Sequence, residues 1–148
     1  MNRYLTLAAL FWAAAGPAGA DPTCCNLNTP SLVTLTAAGA GTTDSPDQLN
    51  LYGRGLQLGI NISAKTGTIA VVVAVQGKDI ASGQYYAVCT SASLTAAAFT
   101  LMTVYPGTTA ATNTDCNAPL PSVWRVEVVS GTGSTPAVTM TVAASVIE

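Results

Sequence analysis

Histidine is missing altogether, and charge of either sign is scarce: five Lys and Arg and seven Asp and Glu make up 8% of the 148 residues, against about a quarter in an average soluble domain. Without histidine the commonest general base, triad partner and transition-metal ligand is gone, and most hydrolytic mechanisms go with it. The five cations, Arg3, Arg54, Lys65, Lys78 and Arg125, stand singly and read as ordinary solvated positions. With no basic block and a net charge of -2, the chain offers a phosphate backbone nothing to bind, which argues against nucleic acid as a partner. No apolar run approaches the roughly 20 residues of a membrane span, so no membrane partner is expected once the leader described below is removed.

What carboxylates there are do not gather. Asp21, Asp44, Asp47, Asp79 and Asp115 all fall in turn-like or Gly/Pro-rich segments, where Asp is favoured for local backbone hydrogen bonds. No D-x-D-x-D run offers calcium a ligand set. Gly53 and Gly55 bracket Arg54 without the strand-to-helix setting of a phosphate loop, and turn glycines explain them. The four cysteines lack C-x-x-C spacing and have no histidine to complete a zinc site. The sequence therefore predicts no catalytic residues, no cofactor and no metal, and a chain that is not an enzyme. Tyr85, Tyr86, Tyr105 and Trp124 read as core or cross-strand side chains, with an aromatic carbohydrate platform as the alternative.

What is present is a chain 49% hydrophobic, rich in Ala, Val, Thr and Ser, a composition that suits life packed against partners. Residues 1–20 read as a secretory signal: Arg3, an apolar run over 4–15, a helix-breaking Pro17, and Ala18-Gly19-Ala20 with cleavage after Ala20. A retained, buried N-terminal arm is the alternative. If the leader directs export, the even cysteine count points to disulfides. Cys89 with Cys116 is the expected pair, both lying in the strand-rich region. Adjacent Cys24 and Cys25 would form a strained vicinal ring or, more easily, bond to neighbouring subunits. Four free thiols is the other reading.

Residues 21–47 read as an extended arm or linker, or a first edge strand where Val33 and Leu35 alternate with Thr34 and Thr36, followed by a flexible stretch over 38–47. Residues 48–148 carry the domain. Leu56, Leu58, Ile60 and Ile62 alternate with Gln57, Gly59, Asn61 and Ser63, a strand with one greasy face. Residues 68–76 form a β-branched run suited to a central strand. Turn residues over 77–83 lead to a strand over 84–90, another follows over 99–105, and residues 108–122 read as a long exposed loop. Trp124, Val126 and Val128, then Val138, Met140 and Val142, alternate in two last strands. No convincing helix interrupts them. The expected fold is all-β, a single two-sheet sandwich of about seven to eight strands, immunoglobulin-like or jelly-roll, behind an extended N-terminal arm.

Taken in order, Gly53-Arg54-Gly55-Leu56, Gly67-Thr68, Gln76-Gly77-Lys78-Asp79, Ala81-Ser82-Gly83, Tyr85-Tyr86, Thr103-Val104-Tyr105-Pro106-Gly107, Leu120-Pro121 and Trp124-Arg125-Val126 resemble a family of small β-sandwich structural proteins of tailed bacteriophages, over about residues 47–148. The resemblance implies a virion component, a capsid decoration or minor head or tail subunit, with no catalytic residues to carry over. Its partners would be other protein subunits, a major capsid or tail protein or further copies of itself in a homo-oligomer. The leader and the cysteines at 89 and 116 depart from that family. They point to an alternative: an exported cell-surface or fibre-forming sandwich, assembled by strand exchange or disulfides.

Overall fold

A computed structural model of the chain describes residues 29–68, 70–111, 115–131 and 137–148. The leader, the cleavage position after Ala20 and the Cys24–Cys25 pair lie outside the described residues. In chain order the strands are β1 (Thr29–Ala38), β2 (Gly41–Asp44), β3 (Gln48–Leu49), β4 (Gly55–Thr66), β5 (Val71–Lys78), β6 (Tyr85–Thr90), β7 (Phe99–Val104), β8 (Asp115–Cys116), β9 (Val123–Ser130) and β10 (Ala137–Ile147). No helix occurs among the described residues.

Two sheets form. The first has the order β1-β10-β4-β7-β8, and the second β2-β9-β5-β6 with β3 also on β9. Every pairing is antiparallel except the two-residue β7–β8 contact. Counting β2 and β3 as one interrupted strand, the chain weaves between β1-β10-β4-β7 and β2/β3-β9-β5-β6. That is the double Greek-key order of a jelly roll, and of the two connectivities open to the sequence it is the one observed.

Period two builds the core. β4 buries Leu56, Leu58, Ile60 and Ile62, and β10 buries Val138, Met140, Val142 and Ala144. From the other sheet Val71, Val73 and Val75 of β5 and Trp124, Val126 and Val128 of β9 close the same cluster. Each such aliphatic side chain withdrawn from water contributes about 1.5–3 kcal/mol. The β5–β6 connection is the hairpin its turn residues predict: Asp79 N–H donates to the Gln84 carbonyl at 2.8 Å and Gly83 N–H to the Asp79 carbonyl at 2.7 Å. Gly83 sits at φ 71°, where only glycine is unstrained.

Two sequence expectations need correction, and between two readings left open the structure decides one. The stretch 38–47, read as flexible, contains β2, whose residues 41–44 pair with Ser130 through Glu127 of β9. The segment read as an arm or first edge strand is an edge strand, β1, with Val33 opposite Val142 and Leu35 opposite Met140. The loop over 108–122 is neither wholly exposed nor free of strand: β8 pairs with β7, and Leu120 is buried.

The loop is anchored rather than loose. Asn117 Oδ1 accepts from Gly107 N–H at 2.8 Å, Leu120 N–H donates to the Arg54 carbonyl, and Cys116 is bonded to Cys89. The disulfide joins β6 of one sheet to β8 of the other, with 5.8 Å between Cα atoms.

Two buried serines finish the sheets by the same device. Ser45 N–H donates to the Val126 carbonyl and its Oγ accepts from Val126 N–H at 2.9 Å. Ser91 does the same with Val73, its Oγ accepting at 3.0 Å. In each, the hydroxyl proton goes to the next carbonyl, Pro46 or Ala92. A side chain thus takes over the ladder where the backbone turns away, leaving no buried N–H unpaired at these two positions.

The two ends of the described chain meet. Thr29 stands opposite Ala144, and β10 ends three residues on at Ile147, so the start of β1 and the finish of β10 share one pole of the first sheet.

Candidate protein interface

The outer faces of the two sheets are chemically unlike. On the first sheet, register aligns Thr34, Thr141, Asn61 and Phe99 in one row, Ala143, Gly59 and Leu101 in the next, and Ser145, Gln57 and Thr103 in a third. None of these side chains is charged. Phe99 is 65% exposed and Leu101 43%, although both lie on a regular strand. Gly59 and Ala143 leave a low floor beside them, with the Phe99 ring over Gly59. The result is a shallow depression of about 370 Å³ lined by Gln57, Gly59, Phe99, Leu101, Ala143, Ala144 and Ser145. Asp115, on β8 at the far edge, is the nearest acidic residue in register, opposite Thr103.

The second sheet gathers charge. Lys78 Nζ lies 2.7 Å from Asp47 Oδ2, and the Tyr85 hydroxyl donates to Asp47 Oδ1 at 2.7 Å. Arg125 packs on the Tyr85 ring, pairs with Asp44 at 2.9 Å and donates from Nε to Gln76 Oε1 at 2.8 Å. The Lys78 ammonium, and after it the Tyr85 hydroxyl, holds the Asp47 carboxyl below the usual carboxylate range. The same bond to Asp47 lifts Lys78 above its ordinary value. Asp79, in the hairpin, is lowered by the Ser82 hydroxyl and by the N–H groups of Ala81 and Ser82. These carboxylates are committed to cations and turn donors. Chemically the cluster is a clasp that fastens the β2–β3 segment across β9, β5 and β6.

Sequence reasoning read Lys78 and Arg125 as isolated solvated cations and Asp44 and Asp47 as turn residues; the fold brings all four into one network. The available signal was strand parity, since Gln76 and Lys78 share a face of β5 and Arg125 and Glu127 one of β9. The four aromatic residues are not brought together. Trp124 is in the core, Tyr85 lies under Arg125, Tyr86 is half-exposed beside Gly77, and Tyr105 lies near Arg54. The predicted Cys89–Cys116 pair is bonded. Against protein-family models, curated proteins and solved structures, the chain finds no match. Function therefore has to be argued from the surface, and the uncharged face with its two exposed apolar side chains is its most distinctive part.

Single exposed apolar residues are commonplace on proteins, but three neighbouring strands, β10, β4 and β7, whose outward rows carry no charge, with Asp115 only at the β8 edge, are not. Bringing the rows of β10, β4 and β7 against another protein, with Asp115 left at the rim, desolvates no ion. The rows of Thr, Ser, Asn and Gln around Phe99 and Leu101 supply the polar rim of an apolar contact.

Proposed function

We propose that this protein is a non-enzymatic structural subunit of a virus particle, a capsid decoration or minor head or tail protein that lays the uncharged outer face of its first sheet on a protein lattice. The observation that carries the reading is the segregation of charge: ions cluster on one outer face of the sandwich and, apart from Asp115 at the β8 edge, are missing from the rows of the other. The resemblance of the motif order to small sandwich proteins of tailed phages favours the particle setting, and the jelly-roll order is one that viral capsid domains use. Fold alone does not assign function, so the weight rests on the face.

Mass spectrometry of purified particles, combined with rebinding to particles lacking the subunit, tests this. The wild-type chain is expected in the particle and to rebind, while Leu101→Lys and Phe99→Lys are expected to rebind at least tenfold more weakly. A particle without the protein, or undiminished rebinding by both variants, removes the reading.

One observation favours a second reading, an exported surface or fibre subunit. The disulfide between buried Cys89 and half-buried Cys116 is the kind that persists in oxidising compartments. Intact mass with and without reductant separates the two: a chain starting at Asp21 with oxidised cysteines supports export, and one starting at Met1 with free thiols supports cytoplasmic particle assembly.

A further inference from the structure

β6 closes one edge of the second sheet. Its six residues, Tyr85-Tyr86-Ala87-Val88-Cys89-Thr90, carry no charge and no proline and pair on one side only, with β5. Such an edge needs cover, since its unpaired N–H and C=O groups are a template for another strand. The register break opposite Val75 and Gln76 leaves Val88 as the extra residue of a bulge. The bulge sets Cys89, opposite Val75, and Tyr86, opposite Gly77, on the same inner side of the strand.

Residues 116–121 run beside β6 and meet it at those two positions. Cys116 is bonded to Cys89, and Pro121 shares with the Tyr86 ring the space over Gly77. Between the two contacts lies a hollow of about 300 Å³, lined by Tyr86, Ala87 and Val88 on one side and Ala118, Pro119 and Pro121 on the other. Pro119 and Pro121 have no N–H, so this segment can lie along the edge without becoming a further strand of the sheet.

Its hydrogen bonds run the other way. The Cys116 carbonyl accepts from Tyr105 N–H at 3.0 Å, and Asn117 Oδ1 accepts from Gly107 N–H at 2.8 Å. Leu120 N–H donates to the Arg54 carbonyl at 3.3 Å, and the Leu120 carbonyl accepts from Asn50 Nδ2 at 3.1 Å. Among the described residues no hydrogen bond joins the segment to β6. The covalent bond is what ties it to the edge.

We propose that residues 116–121 form a redox-sensitive strap: the disulfide holds it against β6, and reduction frees that edge while the strap stays seated on β7 and the 50–54 loop. Cys89 is 4% exposed and Cys116 is half-buried, so a dithiol reductant attacks at Cys116. Its thiolate bonds to Cys116 Sγ, the S–S bond breaks, and Cys89 leaves as a thiolate that takes up a proton. The second thiolate of the reductant then displaces Cys116, which also ends as a thiol. The reductant closes to a cyclic disulfide, having given two electrons and two protons. The strap does not depend on the docking reading above: it is locked in an oxidising compartment and open in a reducing one, whatever the protein binds.

Amide NMR spectra of the whole chain, oxidised and in excess dithiothreitol, test the proposal, with a soluble gadolinium chelate marking the amides that face solvent. Reduction is expected to shift the resonances of residues 85–90 and of the strap and to increase chelate broadening of the β6 amides at least twofold, with β4 and β10 resonances in place. Cys89→Ser with Cys116→Ser is expected to show the reduced pattern with or without dithiothreitol. Four results would each overturn the proposal: β6 amides no more exposed after reduction, shifts spread evenly through β4 and β10, loss of the folded spectrum on reduction, or a double variant with the oxidised pattern.

Discussion

The guanidinium carbon of Arg125 stands 3.6 Å from the centre of the Tyr85 ring, while the hydroxyl on that ring donates to Asp47. One side chain on β6 thus couples β9 to the segment between β2 and β3. Tyr85→Phe keeps the ring under the cation and loses the bond to Asp47, whereas Tyr85→Leu loses both. The cation–π part predicts that the Phe variant is more stable than the Leu variant by about 0.5–1 kcal/mol in urea unfolding. Equal stabilities would show that the stacking contributes nothing.

Acid should undo the clasp from the Asp47 side. Because the folded pKa of Asp47 lies below its ordinary 3.8, its contribution is complete above the unfolded value and is lost as pH falls through the folded one. Lys78 behaves in the opposite sense: raised above 10.5, it contributes fully below that value and loses its contribution as pH rises through the folded pKa. Melting temperatures of wild type and Asp47→Asn should therefore differ at neutral pH and converge in strong acid. A difference that persists unchanged there would assign the loss to something other than the ionised carboxylate.

Removing either ladder serine strands a buried donor. Ser45→Ala leaves Val126 N–H without its acceptor, and Ser91→Ala does so to Val73 N–H. Each is expected to cost about 1–3 kcal/mol in chemical denaturation. Ser63→Ala, whose exposed hydroxyl donates to the Thr139 carbonyl, should change stability by less than about 0.5 kcal/mol.

Cys89→Ser with Cys116→Ser opens a link that spans 27 residues of sequence. Chain-entropy reasoning gives about 3–4 kcal/mol for a loop of that length. Thermal unfolding of the oxidised wild type and the double variant checks this, and an unchanged melting temperature would mean that the anchoring of residues 105–122 does not depend on the covalent bond.

Leu58 and Leu101 sit on adjacent strands and face opposite ways. Leu58→Ala, in the core, is expected to cost about 2–5 kcal/mol. Leu101→Ala, on the exposed face, should cost under about 1 kcal/mol and, under the proposed function, weaken particle binding. A large stability loss from Leu101→Ala would mark it as a core residue rather than a contact residue.

The long strands were legible because their burial is periodic: β4, β9 and β10 alternate cleanly in sequence, and the same residues line the core. β2 and β8 were not legible. They are short, carry Gly, Thr, Asp and Cys in place of an apolar alternation, and exist because β9 and β7 hold them from far along the chain. The uncharged face was half visible. Gln57, Gly59, Asn61 and Ser63 could be read as one polar row, but only the order β10-β4-β7 sets them beside Ala143 and Leu101. The clasp needed parity and topology together, because Asp47, Lys78, Tyr85 and Arg125 come from four separate segments.

The shared pole of β1 and β10 has a mechanical meaning. A pull on anything attached before Thr29 and after Ile147 would draw apart two antiparallel neighbours from the end where they meet. Their hydrogen bonds would then open one after another, like a zip, rather than resist together in shear. A protein built this way is poorly suited to carry tension from end to end. It is better suited to bear load broadside, pressed through its two sheets.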